Sequence, residues 1–412
     1  MKIIKYSLVF LFLSPLHAEI NETILIKNAT AMTAMKSGTL QNTDILIVDG
    51  LIAKIGQNLD FENAIVFDAT NHFVTPGLIA PHSMIGLQEI ELEAETRDDS
   101  TDYFSSGFSI VDAYNPSSAL IPHNRTGGIT TAIVTPSSGH HVFSGMASVF
   151  KLDGKLTEES IGQDIAMVMS FGGSEDSRAS QMLLIKDGFI KAKNYHKSRS
   201  QIMRGGYFDF GYYTPRDLEA ILRVVSKEIP LIVRTDRARD ILRMIAFSNS
   251  HEIDIILAGA KEAWRIADKI ALESIPVILD PMDNIPSSFD SIAARMDNAS
   301  ILNNAGVKIL ITSQSTHNSY LSRQGAGNAV AYGLSEEDAL KALTINVASV
   351  FGLDERIGTL EVGKDADLLI WDGHPLEVSS FTKKIYIDGK EISTVTRSQR
   401  LRDRYLKKLG LD

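Results

Sequence analysis

The chain contains no cysteine. Disulfides, thiol nucleophiles and Cys-ligated zinc or iron–sulfur sites are therefore excluded, and stability must come from core packing. Positive charge is also in deficit. Against 51 Asp and Glu stand 41 Lys and Arg, a net charge of −10. Binding to a phosphate backbone needs a basic face, so nucleic acid is not an expected partner. Long apolar runs are nearly missing too. Residues 6–13 form one, and it falls short of the roughly 20 residues that span a bilayer, so no stable membrane insertion is expected. That run follows Lys2 and Lys5 and leads to Ala18, the basic, apolar, small-residue order of a secretory signal. Leu16 is large for a position three before the cut. The expectation is an exported protein, periplasmic or secreted, with residues 1–18 removed. What remains is ordinary globular composition, 44% hydrophobic and 22% charged, which argues against disorder.

Short β-branched runs lie near both ends. Residues 23–26, 44–48 and 51–55 read as strands, as do 367–371, 384–387 and 391–395. Asp49-Gly50 and Asp388-Gly389 are hairpin turn signals between apolar runs. Neither end alone can bury a core, so the two are expected to pack together as one split β domain. The middle alternates strands at 78–81, 130–135, 165–169, 231–235, 253–257, 276–279 and 308–312 with helices at 176–197, 214–227, 237–248, 261–273, 289–305 and 336–351. Such alternation predicts a parallel sheet with helices outside. A closed barrel of this kind needs eight strands, and only seven are legible. Residues 94–128, with Tyr103, Phe104, Phe108 and Tyr114, read as an inserted lid or wall. The tail 397–409 reads as a basic surface helix, solvated rather than binding. No internal repeat is present.

Two stretches carry a family resemblance. Val74-Thr75-Pro76-Gly77-Leu78-Ile79-Ala80-Pro81-His82-Ser83-Met84 resembles the first barrel strand of the amidohydrolase superfamily. Residues 339–350, 356–360 and 363–369, followed by Trp371-Asp372-Gly373, resemble its C-terminal signature, in particular that of the imidazolonepropionase-related, dipeptidase-like branch. Gly128-Ile129-Thr130-Thr131, Arg237-Ala238-Arg239-Asp240-Ile241 and Glu262-Ala263-Trp264 agree. The resemblance implies an α/β fold: a distorted (β/α)8 TIM-type barrel plus a composite β-sandwich built from both chain ends. The expected division is a leader over 1–18, sandwich over 19–76 and 355–395, barrel over 77–354 and a basic helix over 396–412.

The resemblance also implies divalent metal, zinc above all, at the C-terminal mouth of the barrel, where it acidifies water and polarises a scissile carbonyl. The family places a His-x-His pair on the first strand, a bridging Lys or Glu mid-barrel, two further His and a late Asp. This sequence keeps His82 but has Met84 at the second position. Arg234 stands where a His is expected, and a guanidinium cannot ligate metal. Residues 256–259 offer no His, and Gln314 falls near the place of the Asp. His82 is thus the one candidate metal ligand, and a hydrogen-bonded pocket residue is its plainer reading.

Other candidates divide similarly. His140-His141 reads as surface loop, because adjacent strand side chains point to opposite faces. His123 lies within the insertion. His317 follows the last strand, where barrel enzymes carry functional loops, and is either a pocket or a structural residue. Arg234 and Asp236 share a face. They either neutralise one another in the cavity, or Arg234 grips a ligand carboxylate bidentately. Gly172-Gly173-Ser174 is more simply a loop than a phosphate cradle, Gly325–Gly327 lacks the residues of a phosphate loop, and no nucleophile elbow is present.

Three functions stay open. One is an exported hydrolase of C–N bonds in small acylated amino acids or dipeptides. Another is a catalytically silent relative that binds a small anion or serves an active paralogue as partner. The last is a metal-free hydrolase using His82, Asp236 or His317 as base, for which the sequence offers no positive support. Arg234, Gln314 and His317 are the candidate substrate-binding residues whichever holds. A small-molecule or short-peptide ligand is expected in each case, with a homo-oligomer or a paralogous partner possible.

Overall fold

Both Asp-Gly pairs turn hairpins. In the computed structural model, which describes residues 22–90, 92–139, 141–157, 160–173, 176–313 and 317–411, Asp49 and Gly50 have φ of 51° and 82°, and Asp388 and Gly389 have 51° and 70°. Two successive positive φ values match the twist of flanking strands. The expected leader lies outside the described residues.

The N-terminal strands are β1 (Ile24–Met32), β2 (Thr39–Val48), β3 (Leu51–Gly56), β4 (Ile65–Asp68) and β5 (Phe73–Pro76). The barrel follows with β6 (Leu78–Ser83), β7 (Ile129–Val134), β8 (Phe143–Lys151), β9 (Gly162–Ser170), β10 (Leu231–Thr235), β11 (Ile255–Gly259), β12 (Val277–Leu279) and β13 (Ile309–Ile311). The C-terminal strands are β14 (Leu368–Trp371), β15 (Thr382–Ile387) and β16 (Lys390–Ile392).

Strands from both ends form one sheet in the order β16-β15-β14-β5-β1-β2-β3, with β4 beside β1. Its core mixes Ile26, Ile45 and Ile47 from one end with Leu368, Ile370 and Tyr386 from the other. The two hairpin tips touch, since a Cβ on Gly389 would stand 2.7 Å from the Gly50 Cα.

The barrel sheet runs β6 to β13 in chain order. The seven strands legible in the sequence are its parallel members. The eighth is β8, antiparallel to both β7 and β9. All nine of its residues are buried, so it shows no inside–outside alternation, and Gly145 at φ 128° interrupts it. Those two features hide it from pattern reading. Thr312 Oγ1 donates to the His82 carbonyl at 3.0 Å and links the last strand to the first. Alternate residues Ile79, Ile133, Val168, Ile232, Ile256 and Leu310 point inward. The opposite parity packs against the helices.

The helices depart from expectation in several places. The one expected over 261–273 is a 3-10 turn, Ala263–Ile266, followed by a short helix, Ala267–Leu272. Residues 289–297 are not helical, and the helix there starts only at Asn298. Residues 280–297 instead form a long loop, held by Trp264 Nε1 donating to the Ala293 carbonyl at 2.7 Å. The segment expected as one helix over 336–351 is two, Glu336–Ala342 and Ile345–Val350. The break falls at Thr344, whose φ of −137° and ψ of −97° lie outside the helical region. Residues 94–128 are a wall rather than a free lid. Ser105 N and Gly107 N both donate to Asp217 Oδ1, and Tyr114 stacks on Phe150 at 3.7 Å. The tail helix, Arg397–Leu409, buries no residue.

One buried cation joins barrel to sandwich. Lys151, at the end of β8, has a side chain 1% exposed, and its Nζ pairs with Asp365 at 2.8 Å, Asp367 at 3.2 Å and Asp388. Burial opposes its charge, yet the surrounding carboxylates push its pKa up. Burial also raises Asp367, to about 6.

Candidate functional site

A cavity of about 940 Å³ opens at the C-terminal ends of the barrel strands, the face where this architecture keeps its ligands. Inward parity on β10 runs from Ile232 to Arg234, so Arg234 enters the cavity from the strand end. His82 reaches the same space by a different route. From inward-facing Ile79, strict alternation would send His82 outward. A register shift between Ala80 and Ser83 adds one residue to β6, and a bulge of this type re-aims the following side chains.

The two side chains meet. Arg234 Nε donates to His82 Nε2 at 2.9 Å. Arg234 Nη1 donates to Ser138 Oγ at 3.0 Å, and Nη2 to the Pro136 carbonyl. A longer contact of 3.5 Å reaches Ser144 Oγ. Every one of these acceptors, the ones among the described residues, is neutral. Withdrawal from water lowers the guanidinium pKa to about 10, partly opposed by Asp99, so it stays charged at neutral pH. Burial first, and the Arg234 charge second, push His82 down to about 3. His82 is therefore a neutral imidazole with an unprotonated Nε2 facing the donor.

Asp236 lines the same cavity but does not pair with Arg234, so the first of the two alternatives, mutual neutralisation, is not what the side chains do. Its Oδ1 accepts from Lys261 N at 3.4 Å. Burial raises its carboxyl above the usual range; Lys261 opposes, while Asp283 and Asp290 add to the rise. The two side chains lean apart, Arg234 toward β6 and β7, Asp236 toward the end of β11.

At the rim, Arg178 Nε binds Asp240 Oδ2 at 2.6 Å, and its Nη2 binds Asp290 on the 280–297 loop. Sequence reading missed this network, as it missed the Ser138 and Pro136 partners of Arg234. The rule that functional groups follow barrel strands points to Pro136-Ser137-Ser138 after β7. No local signal points to Arg178.

The remaining candidates separate. His317 is not among the cavity residues; its Nε2 lies 3.1 Å from the Glu89 carbonyl. His123 Nε2 contacts Asn318 Oδ1 at 3.4 Å and packs edge-on against Tyr320. His141 and Met84 do line the cavity, as do Gly172 and Gly173. Gly172 N donates to Gln181 Oε1 at 2.8 Å, the behaviour of an ordered loop. Gln314, His140 and Ser174 lie outside the described residues.

The profile of the Amidohydrolase family matches residues 73–396. The chain belongs to the amidohydrolase family. An amidohydrolase of Thermotoga maritima MSB8 has a solved structure that is 30% identical, covers 90% of this chain and 99% of its own, and superimposes with a TM-score of 0.81. Dihydroorotase of Ruminiclostridium cellulolyticum is 24% identical over 85% of this chain and 89% of its own. Amidohydrolase tasK of Hapsidospora irregularis is 22% identical over 84% of this chain, which spans only 39% of that larger protein.

Family resemblance implies a divalent ion at this amidohydrolase mouth, but the described residues do not fit one. The His82 lone pair is spent on the Arg234 Nε–H. Met84 offers a thioether, which already accepts from Gln88 Nε2 and suits soft metals rather than hard ones. The guanidinium brings a fixed positive charge to the strand end. Ala258 and Gly259 offer no side-chain ligand. Among the described residues, no group of three or more His, Asp or Glu could hold a metal ion.

Proposed function

We propose that this amidohydrolase-family chain takes a small, carboxylate-bearing amide into its barrel mouth, with Arg234 as the anchor. We propose further that the family's metal-assisted hydrolysis of C–N bonds is not run there. One observation carries the reading: among the described residues, the Arg234 guanidinium stands in the cavity with only neutral acceptors. A charged donor fork without a carboxylate partner is completed by a ligand carboxylate. The apolar part of the wall, with Met84, Val142, Phe143, Phe171 and Leu184, suits an aliphatic or aromatic side chain. Titration calorimetry with N-acetyl amino acids and their amides tests it. Acids that bind while their amides do not support the anchor; equal binding of both, or of neither, sinks it.

A second reading is metal-free C–N hydrolysis with Asp236 as base. Its support is the half-buried Asp236 carboxyl, held above the usual carboxylate range by withdrawal from water in the same cavity. Release of free amino acid from N-acetyl substrates, abolished by Asp236→Asn and unaffected by chelators, would establish it. The basic, apolar and small-residue order of residues 1–18 supports export. N-terminal sequencing that finds Met1 on the protein outside the cytoplasm would overturn cleavage.

A further inference from the structure

We infer that the mouth is a two-pole site for a zwitterion, in which Arg234 takes the carboxylate and Asp236 takes an ammonium about one dipeptide length away. The inference rests on the carboxylate reading above and adds a second subsite to it.

Two opposite charges stand two residues apart at the end of one strand and line one cavity. Paired, they would neutralise each other. Instead each turns away. Arg234 is drawn across the barrel to His82, Ser138 and the Pro136 carbonyl. Asp236 is held on the other side by Lys261 N. The nearby cations are already committed. Lys261 Nζ pairs with Asp283 at 2.6 Å, and Arg178 pairs with Asp240 and Asp290. Among the described residues Asp236 thus has a backbone donor but no side-chain cation at ion-pair distance.

The backbone is shaped around this carboxylate. Gly259 has φ of 85°, and a Cβ there would stand 2.5 Å from Asp236 Oδ1. Any side chain at position 259 would collide with the carboxylate or displace it. A carboxylate withdrawn from water costs free energy unless a cation or several donors compensate. A ligand ammonium supplies that compensation, as a ligand carboxylate does for Arg234. Two residues along a strand advance about 6.6 Å, and an extended dipeptide spans about 7 Å. Because the two side chains also lean to opposite sides of the mouth, the poles stand at least about that far apart, which suits the termini of a dipeptide rather than the adjacent charges of a single amino acid.

The test uses the full chain and three probes: glycyl-leucine, N-acetylglycyl-leucine and glycyl-leucinamide, titrated calorimetrically. The free dipeptide is expected to bind, and acetylation or amidation each to weaken it by about tenfold or more, the scale of one charge-assisted hydrogen bond. In Asp236→Asn the dipeptide and its acetylated form are expected to bind within about twofold of one another, while the amide still binds worse. If acetylation leaves wild-type affinity unchanged while amidation weakens it, the ammonium subsite is overturned and the carboxylate anchor stands. If amidation has no effect while acetylation does, the anchor falls and the ammonium subsite stands alone. If none of the three binds at millimolar concentration, both are overturned. The wild-type series decides these outcomes even if the variant fails to fold.

Discussion

Two withdrawn cations divide the work of this molecule. Lys151, at the seam between barrel and sandwich, meets three carboxylates. Arg234, at the barrel mouth, meets an imidazole, a hydroxyl and a carbonyl, all neutral. The seam satisfies its cation inside the protein, so its charge serves the fold. Among the described residues the mouth gives its cation no anion, which is the ground for proposing that a ligand supplies one. A barrel can carry both because the first lies at the sandwich end and the second at the C-terminal strand ends. Burial of a charge by itself therefore says little about function; the identity of its partners decides.

The seam is disrupted most severely by cutting the chain after Gly352. Removing β14–β16 takes Leu368, Ile370 and Tyr386 from the shared core and opens a sheet edge along β5. Insoluble protein is expected. A soluble fragment with an unchanged unfolding transition would show that the seam does not hold the halves together. Next is Lys151→Ala, which leaves carboxylates facing one another in a site that is largely closed. A loss of about 3–5 kcal/mol is expected, the scale for removing one partner of a buried ion pair, read by urea denaturation. Ligand affinity should barely change.

Arg234→Gln is the converse. Binding of carboxylated amides is expected to fall by about 1.5–3 kcal/mol, the scale of hydrogen bonds to charged groups, with a smaller loss of folding stability. If folding collapses instead and no anion binds the wild type, Arg234 belongs with Lys151 as a structural cation. Metal content sharpens the same point. After mild purification, elemental analysis is expected to find far less than one zinc, manganese or iron per chain. One or two ions lost on substituting His82 would overturn the assignment of the mouth.

The smallest effect is a pair of opposed pH slopes. Asp367 is raised to about 6 against an ordinary value near 4. Between those values the folded chain holds a proton the unfolded chain has released, so stability falls as pH rises. His82 is lowered to about 3 against an ordinary ~6.5. There the unfolded chain holds the extra proton, so stability rises with pH. Asp367→Asn is expected to steepen the net rise of stability between about pH 4 and 6, and His82→Gln to flatten it. Parallel shifts in both variants would contradict the separation of seam from mouth.

Much of this was legible from local pattern. Asp49-Gly50 and Asp388-Gly389 announced hairpins because positive φ at two adjacent residues demands such pairs. The parallel strands were visible as short apolar runs between helical stretches. The substitutions at the expected ligand positions, Met84 and Arg234, were visible as soon as the family pattern was. Other features were not. β8 was hidden because burial on both faces removes alternation, and residues 289–297 carry helix-compatible residues but are held as a loop by contacts to Trp264.

The alternation of elements, the turns and the chemistry available at each strand end are written in the order of residues, because these follow from periods and backbone preferences a few residues long. Only the tertiary structure decided which charge meets which. Arg234 and His82 are 152 residues apart, and Lys151 and Asp388 are 237 apart. Arg234 and Asp236, two residues apart on one face and able to pair on the sequence alone, lean to opposite sides of the mouth. A charged side chain in a closed space takes its partner from whatever distant strands and loops surround it. Closure of the barrel brings His82 and Pro136-Ser138 to Arg234, and no local rule contains that geometry.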